Sequence, residues 1–251
     1  MSEHDQRDTF RVLGVAIDDL NEDEALARVA RFVAERRPRQ VVTVNPEFVV
    51  EAQHNPAFRA VLAQAALATA DGFGLLLVAR LRGRRLRGRV TGVALVERIA
   101  AEAARAGWSI FLLGAAPGVA ERAAAALQDR HPGLRIAGCH AGSPRPADEP
   151  GIRALVANAR PDVLLVAYGH PAQDLWIARN QAALGVPVAI GVGGVFDYLA
   201  GVVPRAPGWM RRLGLEWLYR LIRQPSRWRR IVVAVPVFLW AALREPRRPA
   251  P

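Results

Sequence analysis

The stretch "TADGFGLLLVARLRGRRLRGRVTG" holds a single carboxylate, Asp71, between Ala70 and Gly72. Six arginines (Arg80, Arg82, Arg84, Arg85, Arg87 and Arg89) and no acidic residue separate it from Gly92. A positioned carboxylate accepts protons, and guanidinium groups hold anions. A buried structural Asp with a solvated basic face accounts for the same pattern without any chemistry, so the neighbouring motifs must decide.

Four loops follow apolar runs, the place where parallel sheets gather ligands. "VVTVNPEF" ends a run with Thr43 and Asn45, and Asn before Pro46 is also an ordinary helix cap. "FLLGAAPG" has the outline of a phosphate cradle. Its Gly114-to-Gly118 spacing is not the dinucleotide fingerprint, and a tight strand-to-helix turn explains it equally. "VAYGHPAQDLW" offers His170 without companions at metal-ligand spacing. It also offers Gln173, which either reaches a ligand or caps a helix in solvent. "AIGVGGVFDYLAG" brings Gly191, Gly193 and Gly194 together, suited to backbone approach to a flat base or sugar, or to close packing alone. The chain has no nucleophile elbow, no Walker loop and no Asp-x-Asp pair. No metal site and no cofactor are therefore expected, and any departing diphosphate must be met by arginines or helix N-termini.

The elements that must position these loops alternate apolar, β-branched runs with alanine-rich helical patterns, which is the signature of βα units around a mostly parallel sheet. Strands are expected at "FRVLGVAI", "QVVTVN", "WSIFLLG", "LRIAGCH", "DVLLVAYG" and "VPVAIGVG". Helices are expected at Glu22–Glu35, Pro46–Ala52, Gly92–Ala106, Val119–Arg130, Ile152–Asn158 and Ala172–Leu184. The chain divides into a sheet domain over 1–207 and an Arg/Trp-rich helical appendage over 208–251, broken by Pro225 and Pro236.

Charge supports that division. All 34 basic residues are arginine, and the net charge is +11. Eleven of the arginines lie from Arg205 onward against only Glu216 and Glu245, so the tail carries +9. A neutral body with a basic tail points to a polyanion, either nucleic acid or an anionic membrane. The lone Cys139 makes no internal disulfide and fits a reducing compartment. The polar N-terminus does not read as a signal peptide. "IVVAVPVFLWAAL" is shorter than the ~20 residues needed to span a bilayer. A cytoplasmic protein that lies on a membrane without crossing it is the expectation. A core or dimer-interface helix is the plainer account of that run.

Taken in order, "TVNPEF", "TADGFG", "RVTG", "FLLGAAPG", "AYGHPAQDLW", "GVGGVFDYLAG" and the Arg/Trp-rich tail resemble the WecG/TagA/CpsF family of bacterial glycosyltransferases. The resemblance covers Arg11 to Arg230. It implies a Rossmann-like α/β fold, a mostly parallel sheet flanked by helices with a basic helical C-terminal appendage. It implies an inverting transfer of a hexose, typically N-acetylmannosamine, from a UDP-sugar to a polyprenyl-diphosphate-linked sugar in cell-surface polysaccharide synthesis. Other members use other UDP-hexoses. Carried over residue by residue, it makes Asp71 the catalytic base, puts Thr43 and Asn45 in the pocket, Arg89 near the substrate and Gln173 at the donor. It brings Arg220, Arg227 and Arg230 to the acceptor diphosphate. Gly193 and Gly194 fall at the nucleotide crevice, and the other five arginines after Asp71 are left as a solvated or lipid-facing surface. His170 and Ala172 depart from the Ala/Ser and Lys that members often carry. The tail would dock on the inner face of the cell membrane, and a homo-oligomer is compatible with the sequence.

Three other classes are the rivals, one of them a non-catalytic membrane scaffold, for which Asp71→Asn would leave function intact. A nucleic-acid binder would interleave aromatic and basic residues along strands, which this chain does not. A nicotinamide oxidoreductase would need the glycine fingerprint and the acid that follows it.

Overall fold

The computed structural model describes residues 8–204, 206–208, 210, 219 and 228–245. The first apolar run is not one strand but a hairpin, β1 (Thr9–Val12) and β2 (Val15–Asp18), paired antiparallel. Leu13 and Gly14 turn the chain with φ of 48° and 79°, the left-handed pair that two-residue hairpins require.

The remaining runs form β3 (Arg39–Val44), β5 (Ser109–Gly114), β6 (Arg135–His140), β7 (Val163–Ala167) and β8 (Val188–Gly191). A sixth strand, β4 (Leu67–Ala70), joins them. All six are parallel, in the order β4-β3-β8-β7-β5-β6. Strands covered on both faces read as unbroken apolar runs, and β5 and β7 are buried at every residue.

One face carries α1 (Glu22–Glu35), α5 (Gly92–Ala106), α6 (Val119–Arg130) and the short α9 (Val195–Leu199), closed over Val41, Leu112, Leu165 and Ile190. The other face carries α2 (Pro46–His54), α3 (Pro56–Gln64) and α4 (Phe73–Leu81) at the β4 end, α8 (Ala172–Leu184) over β3 and β8, and α7 (Glu149–Ala159) at the β6 end. The hairpin packs beside β4, where the Asp18 carboxylate accepts the Ala68 N–H at 2.7 Å. A sheet edge is thereby covered.

The last described helix, α10 (Trp228–Arg244), runs through Pro236 rather than breaking there. Phe238 and Ala242 are fully buried in the same core as α2 and α4. Beyond its end, Glu245 accepts the Leu13 N–H and pairs with Arg82, both at 2.8 Å. The core-helix account thus holds for one side of α10. Its other side exposes Val237, Trp240 and Leu243, with the Arg244 guanidinium 4.1 Å from the Trp240 ring centre. Neighbouring α4 exposes Phe73 and Leu81 as well. Among the described residues no helix is long and apolar enough to cross a membrane.

Candidate active site

Strands β3 and β4 pair Thr43 with Thr69 and Val44 with Ala70. The ladder continues one step further, with the Asp71 N–H donating to the Val44 carbonyl at 2.7 Å. This sets Asp71 beside Asn45 at the carboxyl edge of the sheet. The segment "RVTG" returns along β4: Val90 N–H donates to the Ala70 carbonyl at 2.9 Å, and the Thr69 hydroxyl donates to the Val90 carbonyl at 3.1 Å. Thr91 then caps α5 through Ala94 N–H. The Gly92 N–H donates to Asp71 Oδ2 at 3.0 Å, so a half-buried carboxylate meets a helix N-terminus, where negative charge is stabilised. A Cβ on Gly92 would stand 3.6 Å from Thr43 Oγ1, 3.6 Å from Val195 Cγ2 and 3.9 Å from Asp71 Oδ2. Thr43, Asp71, Gly92 and the start of α9 therefore converge. Asn45 caps α2 by accepting the Phe48 N–H at 3.1 Å, as its sequence context implies, while remaining half-buried at this edge.

The arginines behind Asp71 divide. Arg82 pairs with Glu245, Arg84 with Asp8 and Asp19, and Arg87 with Glu24. These three tie the loop to α10, the hairpin and α1 instead of forming a free basic face. Arg80 and Arg85 are exposed. Arg89, the residue before Val90, is half-buried and makes no ion pair among the described residues.

The other loops leave the carboxyl ends of β5, β7 and β8, which are adjacent in the order β8-β7-β5. The connections from β5 and β7 leave in opposite directions across the sheet, the switch point where such folds bind ligands. Gly114 cannot be replaced there, because a Cβ would lie 2.7 Å from the Ala167 carbonyl carbon. Gln173, only 2 % exposed, accepts the Gly169 N–H at 3.1 Å and the Gly193 N–H at 2.9 Å on its Oε1. It stands behind the loops after β7 and β8 rather than capping a helix in solvent. Gly194 leads into α9. His170 stacks on Phe48, ring centres 4.9 Å apart, and its Nε2 lies 3.3 Å from Glu47 Oε2, joining α2 to the β7 loop. Among the described residues no three His, Cys, Asp or Glu side chains group as a metal site.

Asp174, next to Gln173, is fully buried. Burial dominates its titration and pushes the carboxyl from 3.8 up to about 7, against a smaller lowering by the Gln173 amide. An unfolded chain sheds this proton near its ordinary pKa, so between about pH 4 and 7 the native state binds more protons. Stability from this group is full below about pH 4 and is lost as pH rises through 7. Thermal melts should show a falling Tm from pH 5 to pH 8, and Asp174→Asn, which cannot ionise, should flatten that fall. Parallel curves for the two proteins would refute the assignment.

Arg220 and Arg227 lie outside the described residues, and Arg230 lies in α10 where only the backbone is described. Sequence reasoning passed over Thr91, Gly92 and Glu47, and gave Asp174 no role. Thr91 was legible as a cap before an alanine-rich helix, whereas the others depend on what the fold brings opposite them.

Residues 10–250 match the family model described as Glycosyl transferase WecG/TagA/CpsF family. A protein of Bacillus spizizenii (strain W23) is 35% identical over 210 residues, covering 84% of this chain and 80% of its own length. One of Staphylococcus aureus (strain MW2) is 30% identical over 241 residues, covering 94% and 93%. Both are named N-acetylglucosaminyldiphosphoundecaprenol N-acetyl-beta-D-mannosaminyltransferase.

Proposed function

The chain belongs to the glycosyl transferase WecG/TagA/CpsF family, and from that premise we propose that it moves N-acetylmannosamine, with inversion, from a UDP donor to polyprenyl-diphosphate-linked N-acetylglucosamine. The observation that carries this reading is the meeting of Asp71 with the α5 N-terminus and Thr43 at the carboxyl edge of the sheet. Asp71 takes the proton of the acceptor hydroxyl as that oxygen bonds to the anomeric carbon. On the opposite side of that carbon the bond to the diphosphate oxygen breaks, and its electron pair leaves with UDP.

Arg89, without an ion pair among the described residues, is assigned to the phosphates. Thr43 and Asn45 line the sugar pocket. The Gly193–Gly194 loop, backed by Gln173, and the N-terminus of α6 are assigned to the donor nucleotide. Arg220, Arg227 and Arg230 of the 208–251 appendage are assigned to the acceptor diphosphate.

The lipid acceptor requires a protein that reaches the bilayer. The exposed Trp240, Leu243, Val237 and Phe73, with Arg80 and Arg244 on the same two helices and Arg85 in the loop after α4, supply apolar and cationic groups. Trp and Arg at a headgroup boundary suit peripheral binding to anionic lipid. The reading is therefore of a cytoplasmic protein on the inner membrane face.

A donor screen tests this. Purified protein, a short-chain polyprenyl-diphosphate N-acetylglucosamine and a panel of UDP-sugars should release UDP with the N-acetylmannosamine donor and only with acceptor present. EDTA should change that rate less than about 2-fold, since arginines and helix N-termini carry the leaving charge. Release abolished by EDTA would overturn the metal-free mechanism, and turnover with a glucose-type donor alone would overturn the sugar assignment.

A further inference from the structure

The buried acids Asp18, Asp19 and Glu149 each meet an arginine, with Arg28 at 3.2 Å, Arg84 at 3.5 Å and Arg179 at 2.7 Å. Among the described residues Asp174 meets none. It is fully buried, no well-formed hydrogen bond reaches its carboxyl oxygens, and the Gln173 amide and its own backbone N–H are the groups close enough to oppose the effect of burial. An unpartnered buried polar group destabilises the native fold, and an apolar side chain would pack here without that cost. Something other than packing must call for a carboxyl.

Its surroundings identify the need. Asp174 is anchored from below, where Gln40 Nε2 donates to its backbone carbonyl at 3.0 Å. Its Oδ1 and the Nε2 of Gln173 both lie against the bare Cα of Gly191, 2.5 and 2.6 Å from where a Cβ would stand. Any larger residue at 191 would drive the two side chains away. The other end of the Gln173 amide, Oε1, receives the N–H groups of Gly169 and Gly193. An amide is nearly symmetric in shape but not in function: turned over, it would point N–H at N–H and lose both bonds. A carboxyl oxygen acting as acceptor on the Nε2 side attracts the amide hydrogens and repels Oε1.

We infer that Asp174 is a positioning residue that fixes the orientation of the Gln173 amide, and through it the two glycine loops that end β7 and β8. Its effect on donor binding rests on the assignment of those loops to the nucleotide.

Hydrogen exchange on the full-length protein reads this latch directly. In Asp174→Leu the Gly169 and Gly193 amides should exchange at least about 10-fold faster, while the β5 and β7 amides hold and the Tm does not fall. Asp174→Asn keeps a carbonyl oxygen in place and should preserve protection within about 3-fold. If the leucine variant does not fold, Asp174→Ala, which adds no bulk, is measured in the same way. Unchanged protection at both glycines, or loss spread evenly through the sheet with a lowered Tm, would reduce Asp174 to a packing residue and overturn the inference. UDP titration separates the two readings: a roughly 10-fold weaker Kd alongside the local loss supports both. Local loss with an unaltered Kd keeps the latch and removes these loops from the donor site.

Discussion

Asp71→Asn should lower turnover by about 10²–10⁴-fold, the range a positioned general base supplies, while UDP binds within 2-fold of the parent. The asparagine is isosteric and still presents an oxygen to the Gly92 N–H, now 3.0 Å from Oδ2. The bond to the α5 N-terminus should therefore survive. What disappears is the capacity to accept a proton. A kcat that collapses with a steady UDP affinity is the signature of a group acting only in the transition state. Retention of more than about a fifth of the parent activity would remove Asp71 from the reaction and leave it a loop-ordering residue.

The second large effect concerns the exposed side of α10. Trp240→Glu combined with Leu243→Glu should abolish sedimentation with anionic vesicles and cut turnover of a full-length polyprenyl acceptor by at least 10-fold. Turnover of a short, water-soluble acceptor should stay within about 2-fold. Both side chains are 58 % exposed, so the core does not register the change, whereas a carboxylate is repelled by an anionic surface. Undiminished vesicle binding would sink the membrane-facing role of this helix. Point changes serve better than deletion of everything after Pro207. Deletion also strips Phe238 and Ala242 from the core they share with α2 and α4, and losing a buried Phe alone costs about 3–5 kcal/mol.

Much of the scaffold was legible because β3, β5, β7 and β8 are covered on both faces and carry apolar runs such as residues 41–42, 110–113 and 163–167. Strand β4 escaped because "LATA" is short and its residues bear no helical or strand pattern. The hairpin was read as one strand since the Leu13–Gly14 turn interrupts apolar residues without a polar break. Asp71 stood out by isolation from other acids. The division of labour among the arginines did not, because Glu245, Asp19 and Glu24 are distant in sequence from the guanidinium groups they bind. Gln173 and Asp174 look like a polar, solvated helix start when read along the chain. Only the sheet beneath them buries the pair and sends the amide toward two backbone N–H groups.

Among the described residues β4 has a paired strand on one side only, so the aspartate rides on the rim of the sheet. That rim is finished by Asp18 at the Ala68 N–H and by Val90 at the Ala70 carbonyl. Wear on this border, through substitutions in residues 8–19 that never approach a sugar, should be transmitted to the carboxylate as altered alignment. Drift in turnover among closely similar chains is thus to be sought in the hairpin as much as in the pocket lining.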